Sequence, residues 1–306
     1  PEFGADGTPF DRNDPANIRS SNTALPNGGV REDDDFSYRI GLNYTPNEDV
    51  LVYGSLATGF RSGGFSIAFA NTQEELAGDG GSLEPETITA AELGFKSSLS
   101  DQLRINGSAY IYELENAHID LDANNGVVPV TVNGDTVDLY GAELEVQWLI
   151  NDAWIFEGGV GYLNSEIGDS EPVASAGVLG LIPNLPGGTL QGNRTAFSPE
   201  WSFTGQLRYE RDLSNGLALT ASTDFSWRDE TFLEANNQQS NLRDEYWLVN
   251  GRVSVKSESG WKASVWVKNL TDEAYQVYLN DLPAFGWLLN GYAAPRTVGV
   301  NVGYEF

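Results

Sequence analysis

Side chains suited to covalent chemistry are scarce in this sequence. His118 is the one histidine, and there is no cysteine. The lack of cysteine excludes disulfides, thiolate metal sites and cysteine nucleophiles. A Ser-His-Asp triad or a histidine metal site would need partners for His118 that no motif supplies, so a histidine at a strand rim or in a loop is the favoured interpretation. We therefore expect no catalytic residue, no metal ligand and no enzyme activity.

Two acidic clusters are the candidates for binding a cation. Residues 32–35 are four consecutive carboxylates, and Asp120 and Asp122 lie close together in the sequence. Ca²⁺ prefers several carboxylate oxygens, but neither cluster has the spacing of a calcium-binding loop. A solvated acidic loop is favoured, and calcium at these loops is the alternative. No other cofactor is predicted.

Aromatic residues in two long loops, 61–86 and 271–292, are the candidates for ligand binding. Aromatic rings stack on sugars and planar chelators, and a nearby arginine attracts an anionic chelate. Packing of these loops on each other and on the rim below them is an equally weighted alternative. The candidate residues are Arg61, Phe65 and Phe69 in the first loop and Tyr275, Tyr278, Phe285, Trp287 and Tyr292 in the second.

The charge balance limits the classes of partner. The 306 residues include 17 basic and 44 acidic side chains, for a net charge of −27. Because phosphates need a basic surface, nucleic acid is excluded as a partner. No apolar run is long enough for a transmembrane helix. No signal peptide or initial methionine is present, so we expect the chain to begin inside a longer gene product.

Apolar and polar residues alternate with a period of two through most of the chain, which predicts β-strands with two unlike faces. At the end of the sequence, Val298, Val300, Val302, Tyr304 and Phe306 fall on one face. The same rule predicts about eleven strands, near 36–45, 50–60, 87–98, 103–119, 135–149, 153–164, 198–210, 216–229, 243–256, 260–270 and 293–306.

The predicted connections alternate in length. The short ones (TPNED, SLSDQ, IND, RDLSN and SESG) are rich in turn residues. The long ones lie near 61–86, 120–134, 165–197, 230–242 and 271–292. Short turns on one side and long loops on the other are typical of an outer-membrane barrel, whose strands place apolar residues toward lipid and polar residues toward the lumen.

This alternation also assigns residues to a membrane girdle and to the lumen. Aromatic residues cluster near both strand ends, as expected at the two membrane interfaces. The girdle residues predicted beside the short turns are Trp148, Trp154, Tyr209, Trp261 and Phe306. The polar residues predicted to face the lumen are Glu143, Glu145, Arg208, Asp224 and Arg252.

Several segments resemble those of a known family, the TonB-dependent receptors of Gram-negative outer membranes. They are GFRSGGFS (59–66), LEPETITAAELGFKSSL (83–99), YGAELEVQW (140–148), SPEWSFTGQLRYE (198–210), VKNLTDEAY (267–275) and the closing PRTVGVNVGYEF. The order of these segments resembles the family from about residue 34 onward. The resemblance implies an all-β fold, a transmembrane antiparallel up-and-down barrel of about 22 strands around a plugged lumen.

The resemblance also implies a function and a set of partners. We expect residues 1–34 to be an extracellular loop segment and residues 35–306 to be the C-terminal portion of the barrel, without the plug domain. The expected partners are the plug and remaining strands, the energy-coupling protein TonB, and outer-membrane lipid and lipopolysaccharide. The expected function is import of a scarce ligand, a ferric siderophore, into the periplasm. Uptake of carbohydrate oligomers and a passive porin-like or adhesin barrel are the alternatives.

Overall fold

The computed structural model of the chain describes residues 31–65, 82–122, 128–134, 136–168, 189–214, 216–282 and 286–306. Most of the predicted loop segment 1–34 therefore lies outside the described residues, and the boundary at residue 34 remains a prediction. Within the described ranges the one helical element is a 3₁₀ turn, Gln239–Asn241. None of the helical structure there has the length and apolarity needed to cross a bilayer.

Nineteen strands account for almost all the regular structure of the described residues. In chain order they are β1 (Arg39–Asn47), β2 (Val50–Arg61), β3 (Gly64–Phe65), β4 (Ser82–Leu83), β5 (Glu86–Ser100), β6 (Leu103–Glu115), β7 (His118–Asp122), β8 (Val128–Asn133), β9 (Thr136–Asn151), β10 (Trp154–Ile167), β11 (Trp201–Leu213), β12 (Leu217–Arg228), β13 (Thr231–Phe232), β14 (Leu242–Arg243), β15 (Tyr246–Ser257), β16 (Trp261–Lys268), β17 (Gln276–Leu282), β18 (Trp287–Tyr292) and β19 (Thr297–Tyr304).

Eleven of these strands form one antiparallel sheet in the order β1-β2-β5-β6-β9-β10-β11-β12-β15-β16-β19. The sheet does not close on itself, since β1 and β19 are its two edges. This arrangement confirms the predicted all-β, up-and-down fold with about eleven strands. Short connections join the strands at one end of the sheet, the turn end, and long connections join them at the other, the loop end.

The long connections contain structure that the period-two rule did not predict. Four of them hold small two-stranded sheets, β3-β4, β7-β8, β13-β14 and β17-β18. The predicted strand 103–119 was too long, because β6 ends at Glu115. Asn116 follows with φ of 53°, a left-handed conformation that interrupts the ladder. His118 therefore begins a hairpin above the sheet instead of ending a long strand.

The register places most apolar residues of the middle of the strands on one side of the sheet, and Trp266, opposite Arg252, is an exception. Across five neighbouring strands, Ala109, Ala142, Tyr162, Trp201 and Arg228 lie close to one height. The residues paired with Leu144 are Gly107 and Val160. We call the side that carries Leu42, Leu56, Leu93, Leu144 and Val300 the apolar face and the opposite side the polar face.

The apolar face is too large and too exposed to suit water. Leu42 is 76% and Val300 67% exposed. Soluble monomers rarely leave contiguous apolar patches beyond a few hundred Å², whereas a lipid-facing barrel wall consists of such residues. The composition of this face therefore fits contact with a bilayer.

Aromatic rings border the apolar face at both ends. Near the loop end, Tyr162 lies 6.3 Å from Tyr140 and 4.8 Å from Trp201 between ring centroids. Near the turn end, Trp154 lies 4.8 Å from Tyr209. Also at the turn end are Trp148, opposite Leu103, and the row Trp261, Tyr304 and Phe306. The five predicted girdle residues thus lie at the turn end, and their contact with lipid remains a prediction.

Above the loop-end aromatic row the two faces exchange character. Glu113, Asp138 and Glu166 are direct cross-strand neighbours on the side that is apolar lower down. One residue away, the polar side carries an equally continuous apolar row, Leu114, Val137 and Ile167. The strands therefore extend beyond the level of the aromatic row, and their upper inner surface is built for packing rather than for solvation.

Several glycines in the sheet are covered by an aromatic ring from the directly opposite residue. Tyr53 covers Gly94, Phe95 covers Gly107, and Phe225 covers Gly205. A Cβ built on any of these three glycines would lie within 2.6 Å of the ring. The same pairing occurs between Tyr110 and Gly141. The absence of a side chain thus lets a ring lie flat on the neighbouring strand, which shields the ladder hydrogen bonds and fixes the register.

The C-terminus is held against the last turn by one backbone bond and two ion pairs. The Glu305 N–H donates to the Gly260 carbonyl at 2.9 Å, and Gly260 has φ of 91°. The Glu305 carboxylate pairs with Lys262 and, at 3.2 Å, with Lys256. Hydrogen bonds from these two lysines lower the pKa of Glu305 below its ordinary value.

The lowered pKa predicts a pH-dependent contribution of Glu305 to stability. The contribution is present above the ordinary glutamate pKa of about 4.3 and disappears as the pH falls through the lower folded-state value. We expect Glu305→Gln to lower the unfolding midpoint slightly at pH 7, because the groups are exposed, and we expect this deficit to shrink as the pH falls below the ordinary glutamate pKa. The measurement is the thermal midpoint of both proteins from pH 7 down into the acid range. Glu258→Gln in the same turn is the control, and a deficit of Glu305→Gln that does not change with pH would contradict the argument.

Candidate functional site

A cavity of about 920 Å³ lies on the polar side of the sheet at the loop end. Its floor consists of upper strand residues from β5, β6, β9 and β10, including Ile88, Leu139 and Ile167. Its sides come from β7 and from the segments that contain Phe197, Ala235 and Leu279. The volume lies within the range of small-ligand sites, which are mostly apolar with a few polar groups.

The wall of the cavity adjoins the largest buried cluster among the described residues. Ile167 is 1% exposed and Leu190 is fully buried. The side chains that complete the cluster are Ala117, Ile119, Leu121, Val132, Val137 and Ala235, with Leu114 and Leu139 against them. Burial of this apolar area holds the hairpin β7-β8 and the segments after β10 and β12 over the strand ends.

Polar groups at one side of the cavity are joined by hydrogen bonds. The Glu86 carboxylate accepts the His118 backbone N–H at 2.8 Å. It also forms an ion pair of 3.5 Å with Arg61, its direct partner across β2 and β5. The His118 Nε2 atom lies 2.7 Å from the Glu84 carbonyl oxygen. His118 therefore anchors a hairpin at the cavity edge, and Arg61 has a carboxylate partner within the sheet.

A second set of hydrogen bonds braces the opposite side. The Arg194 N–H donates to Asn237 Oδ1 at 2.7 Å, and Asn237 Nδ2 donates to the Arg194 carbonyl at 2.8 Å. Asn237 adopts φ of 49°, which asparagine tolerates better than most residues. The Thr195 hydroxyl donates a hydrogen bond to the Ser165 hydroxyl at 2.7 Å. The segments above β10 and β12 are thus tied to each other and to the sheet.

The predicted aromatic residues are spread over this end of the molecule. Tyr278 lines the cavity, whereas Tyr275 stacks on Tyr246 with centroids 4.3 Å apart. Trp287 and Tyr292 belong to β18 and are about two-thirds exposed, at 65% and 60%. Phe65 lies in β3 and is partly buried, and Phe69 and Phe285 lie outside the described residues. A role in ligand binding remains a prediction for all of them.

The five residues predicted to face the lumen share the polar face. The register that joins β6, β9, β10, β11, β12 and β15 puts them all on that side. Asn106 donates to Glu145 at 3.5 Å, and Asn250 donates to Asp224 at 2.5 Å. Glu143, Arg208 and Arg252 occupy the same side, and their exposure to a lumen remains a prediction.

The acidic cluster 32–35 is partly used within the structure. Arg31 donates to Asp33 at 2.7 Å and to Glu84 at 3.1 Å, and these bonds raise the pKa of Arg31. Asp120 accepts the Thr131 hydroxyl at 2.6 Å. Within the described ranges no three His, Cys, Asp or Glu side chains are grouped closely enough to hold a metal ion. Calcium at these loops remains an untested alternative.

The apolar floor of the cavity was not predicted from the alternation of apolar and polar residues. Residues such as Leu114, Val137 and Leu139 follow the lumen parity of their strands, which predicts polar positions. A signal was nevertheless present, because Glu113, Glu115 and Asp138 occupy the lipid parity beside them. An exchange of the two faces marks where a strand leaves the bilayer, and the inner apolar residues beyond that point indicate a covered site.

The chain is similar to several known receptors. It is 24% identical over 152 residues to the probable TonB-dependent siderophore receptor PiuA of Acinetobacter baumannii, covering 49% of this chain and 20% of that protein. It is 26% identical over 277 residues to the probable TonB-dependent receptor BfrD of Bordetella pertussis, covering 88% of this chain and 34% of that one. The chain therefore spans about a third or less of the length of these relatives.

The fold has a close counterpart among solved structures. The ferric yersiniabactin uptake receptor FyuA from Yersinia pestis superimposes with a TM-score of 0.68 at 20% identity, over 88% of this chain and 37% of that structure. These relatives are named as receptors and not as enzymes, which fits the prediction of a non-enzymatic protein at the level of the family. Residues 7–270 match the family described as TonB dependent receptor-like, beta-barrel. The chain belongs to this family of TonB-dependent receptor β-barrels.

Proposed function

We propose that this chain forms part of the wall of an outer-membrane transporter that binds a ferric siderophore and imports it into the periplasm with energy supplied through TonB. In this proposal the apolar face contacts outer-membrane lipid, and the loop end lies beside lipopolysaccharide outside the cell. The polar face contacts a plug domain. The remaining barrel strands complete the wall. The chain itself carries out no covalent chemistry.

The observation that carries the proposal is the cavity at the loop end. It lies above the aromatic row, on the inner side of the sheet, and its walls are apolar except for groups such as Glu86 and His118. A ligand arriving from outside would meet this cavity before the polar lower part of the wall. The siderophore and yersiniabactin receptors among the relatives make an iron chelate the favoured ligand class.

The proposal is tested by iron uptake in cells that lack this protein. Cells complemented with the native gene should accumulate radioactive iron supplied as a siderophore complex, and the deletion strain should not. Uptake by the complemented cells should stop when TonB is deleted from them. Several chemical classes of siderophore need to be supplied, because the fold alone does not select one.

The alternatives give different results in the same cells. Loss of growth on a carbohydrate oligomer, with normal iron uptake, would replace the siderophore with a sugar ligand. Uptake that persists without TonB would indicate a passive channel. Normal uptake of every supplied ligand by the deletion strain would overturn the transport proposal altogether.

A further inference from the structure

Two arginines without a carboxylate partner lie together at the loop end of the polar face. Arg228 is the last residue of β12 and pairs directly with Tyr246 of β15. Arg243 belongs to β14 and is only 7% exposed. Acidic residues flank both arginines in the sequence, yet none of the ion pairs among the described residues includes either of them.

Arg243 is held in place by neutral groups. Its Nη1 donates to the Gln276 carbonyl at 3.2 Å. Its guanidinium carbon lies 5.1 Å from the centroid of Tyr246, which in turn stacks on Tyr275 with planes 9° apart. These contacts fix the position of the guanidinium group but leave its charge without an opposite one. Its Nε atom is buried and has no acceptor within the part of the chain that the structure describes.

This arrangement is unfavourable unless something else supplies negative charge. A buried charge without a partner is costly, and a buried donor without an acceptor adds to that cost. Burial lowers the pKa of Arg243, and the nearby positive charge of Arg228 acts in the same direction. The chain has 44 acidic side chains against 17 basic ones, so a carboxylate at this place would have been easy to provide.

We propose that Arg228 and Arg243 form a binding site for a carboxylate group of the ligand. The planar guanidinium group presents donors in a fork that matches the two oxygens of a carboxylate. Gln276, which holds Arg243, begins β17, and the same strand supplies Tyr278 and Leu279 to the cavity wall. Arg243 is therefore hydrogen-bonded to a strand that also lines the cavity. In this proposal the arginine pair selects ligands by charge, and the cavity selects them by apolar contact.

The site is tested with benzoate as the probe and its neutral analogue benzamide as the matched ligand. Binding to the purified protein in detergent is measured by NMR saturation transfer, without iron. We expect benzoate to bind and benzamide to bind at least five-fold more weakly. Arg243→Gln and Arg228→Gln should each weaken benzoate at least five-fold. Arg211→Gln, which removes the same charge from the other face near the turn end, should leave benzoate binding unchanged.

Arg228→Gln keeps the test decisive if Arg243→Gln disturbs the fold. The Arg228 side chain is exposed and forms no hydrogen bond with another described residue. Equal binding of benzoate and benzamide, unchanged benzoate binding by Arg228→Gln, or no benzoate binding by the native protein would each overturn the site. The proposal of a carboxylate site rests on the proposed function only where it identifies the bound molecule as the transported ligand. Since the measurement involves neither iron nor transport, a negative result leaves the uptake experiment to be judged separately.

Discussion

Replacing Gly141 with alanine is expected to destabilise the sheet strongly. A Cβ at this position would lie 2.5 Å from the Tyr110 hydroxyl oxygen on one side, and would meet the backbone carbonyl oxygen of Tyr162 on the other. The ring could move, but the carbonyl belongs to the β9-β10 ladder and cannot move without breaking hydrogen bonds. Overpacking of this kind costs typically about 1–3 kcal/mol and occasionally more.

Samples are heated to a series of temperatures and then run on a gel without boiling. The measurement is the temperature at which the folded band disappears. We expect Gly141→Ala to lower that temperature by roughly 5 °C or more, as such a free-energy change implies for a large domain. Gly303→Ala is the matched control, since a Cβ at Gly303 of β19 has no atom within 4 Å. Equal unfolding temperatures of the two variants would show that the sheet accommodates a Cβ at Gly141 and would contradict the prediction.

Replacing Ile167 with aspartate is expected to abolish ligand uptake while leaving the barrel wall folded. Ile167 is 1% exposed within the apolar cluster beside the cavity. A carboxylate there would be buried without a partner, which costs several kcal/mol. The cluster lies above the aromatic row, so the segments that close the cavity should open while the strands below stay paired.

The test combines two measurements on cells that produce the variant. Uptake of the siderophore-bound iron should fall at least ten-fold, and the folded band on an unheated gel should remain. Ile167→Val serves as the control, because removal of one methylene typically costs about 0.5–1.5 kcal/mol. Full uptake by Ile167→Asp would separate the cavity from the transport function, and loss of the folded band would show that the cluster supports the whole wall.

The strands could be predicted from the sequence because one face of the sheet is apolar and the other is polar. Residues such as Leu144 and Glu145 alternate so regularly that parity alone gives the strand, its faces and its approximate ends. The small hairpins above the sheet were not predictable in this way. β7 and β8, for example, are short, and their pairing depends on Asn116 turning the chain and on Ile119 packing against Val132.

The candidate site was predictable only in its general location. Loop aromatics pointed to the loop end, and Tyr278 does line the cavity there. Arg61 looked available for an anionic ligand, but the register of β2 and β5 places Glu86 directly opposite it. Arg243 gave no signal in the sequence, because only the tertiary structure shows that the acidic residues beside it form no ion pair with it. Long-range pairing therefore decides which charges are neutralised and which remain for a partner.

The count of eleven strands has a consequence for assembly. In an antiparallel meander, successive strands reverse direction, so an odd count leaves both edge strands, β1 and β19, running the same way. If two identical copies with the same orientation met edge to edge, their adjoining strands would be parallel, unlike every other pair in the sheet. Antiparallel closure requires a complement with an odd number of strands, which removes the unpaired edges that lipid does not tolerate. Two copies of this sheet with the same orientation therefore cannot close into a wholly antiparallel barrel.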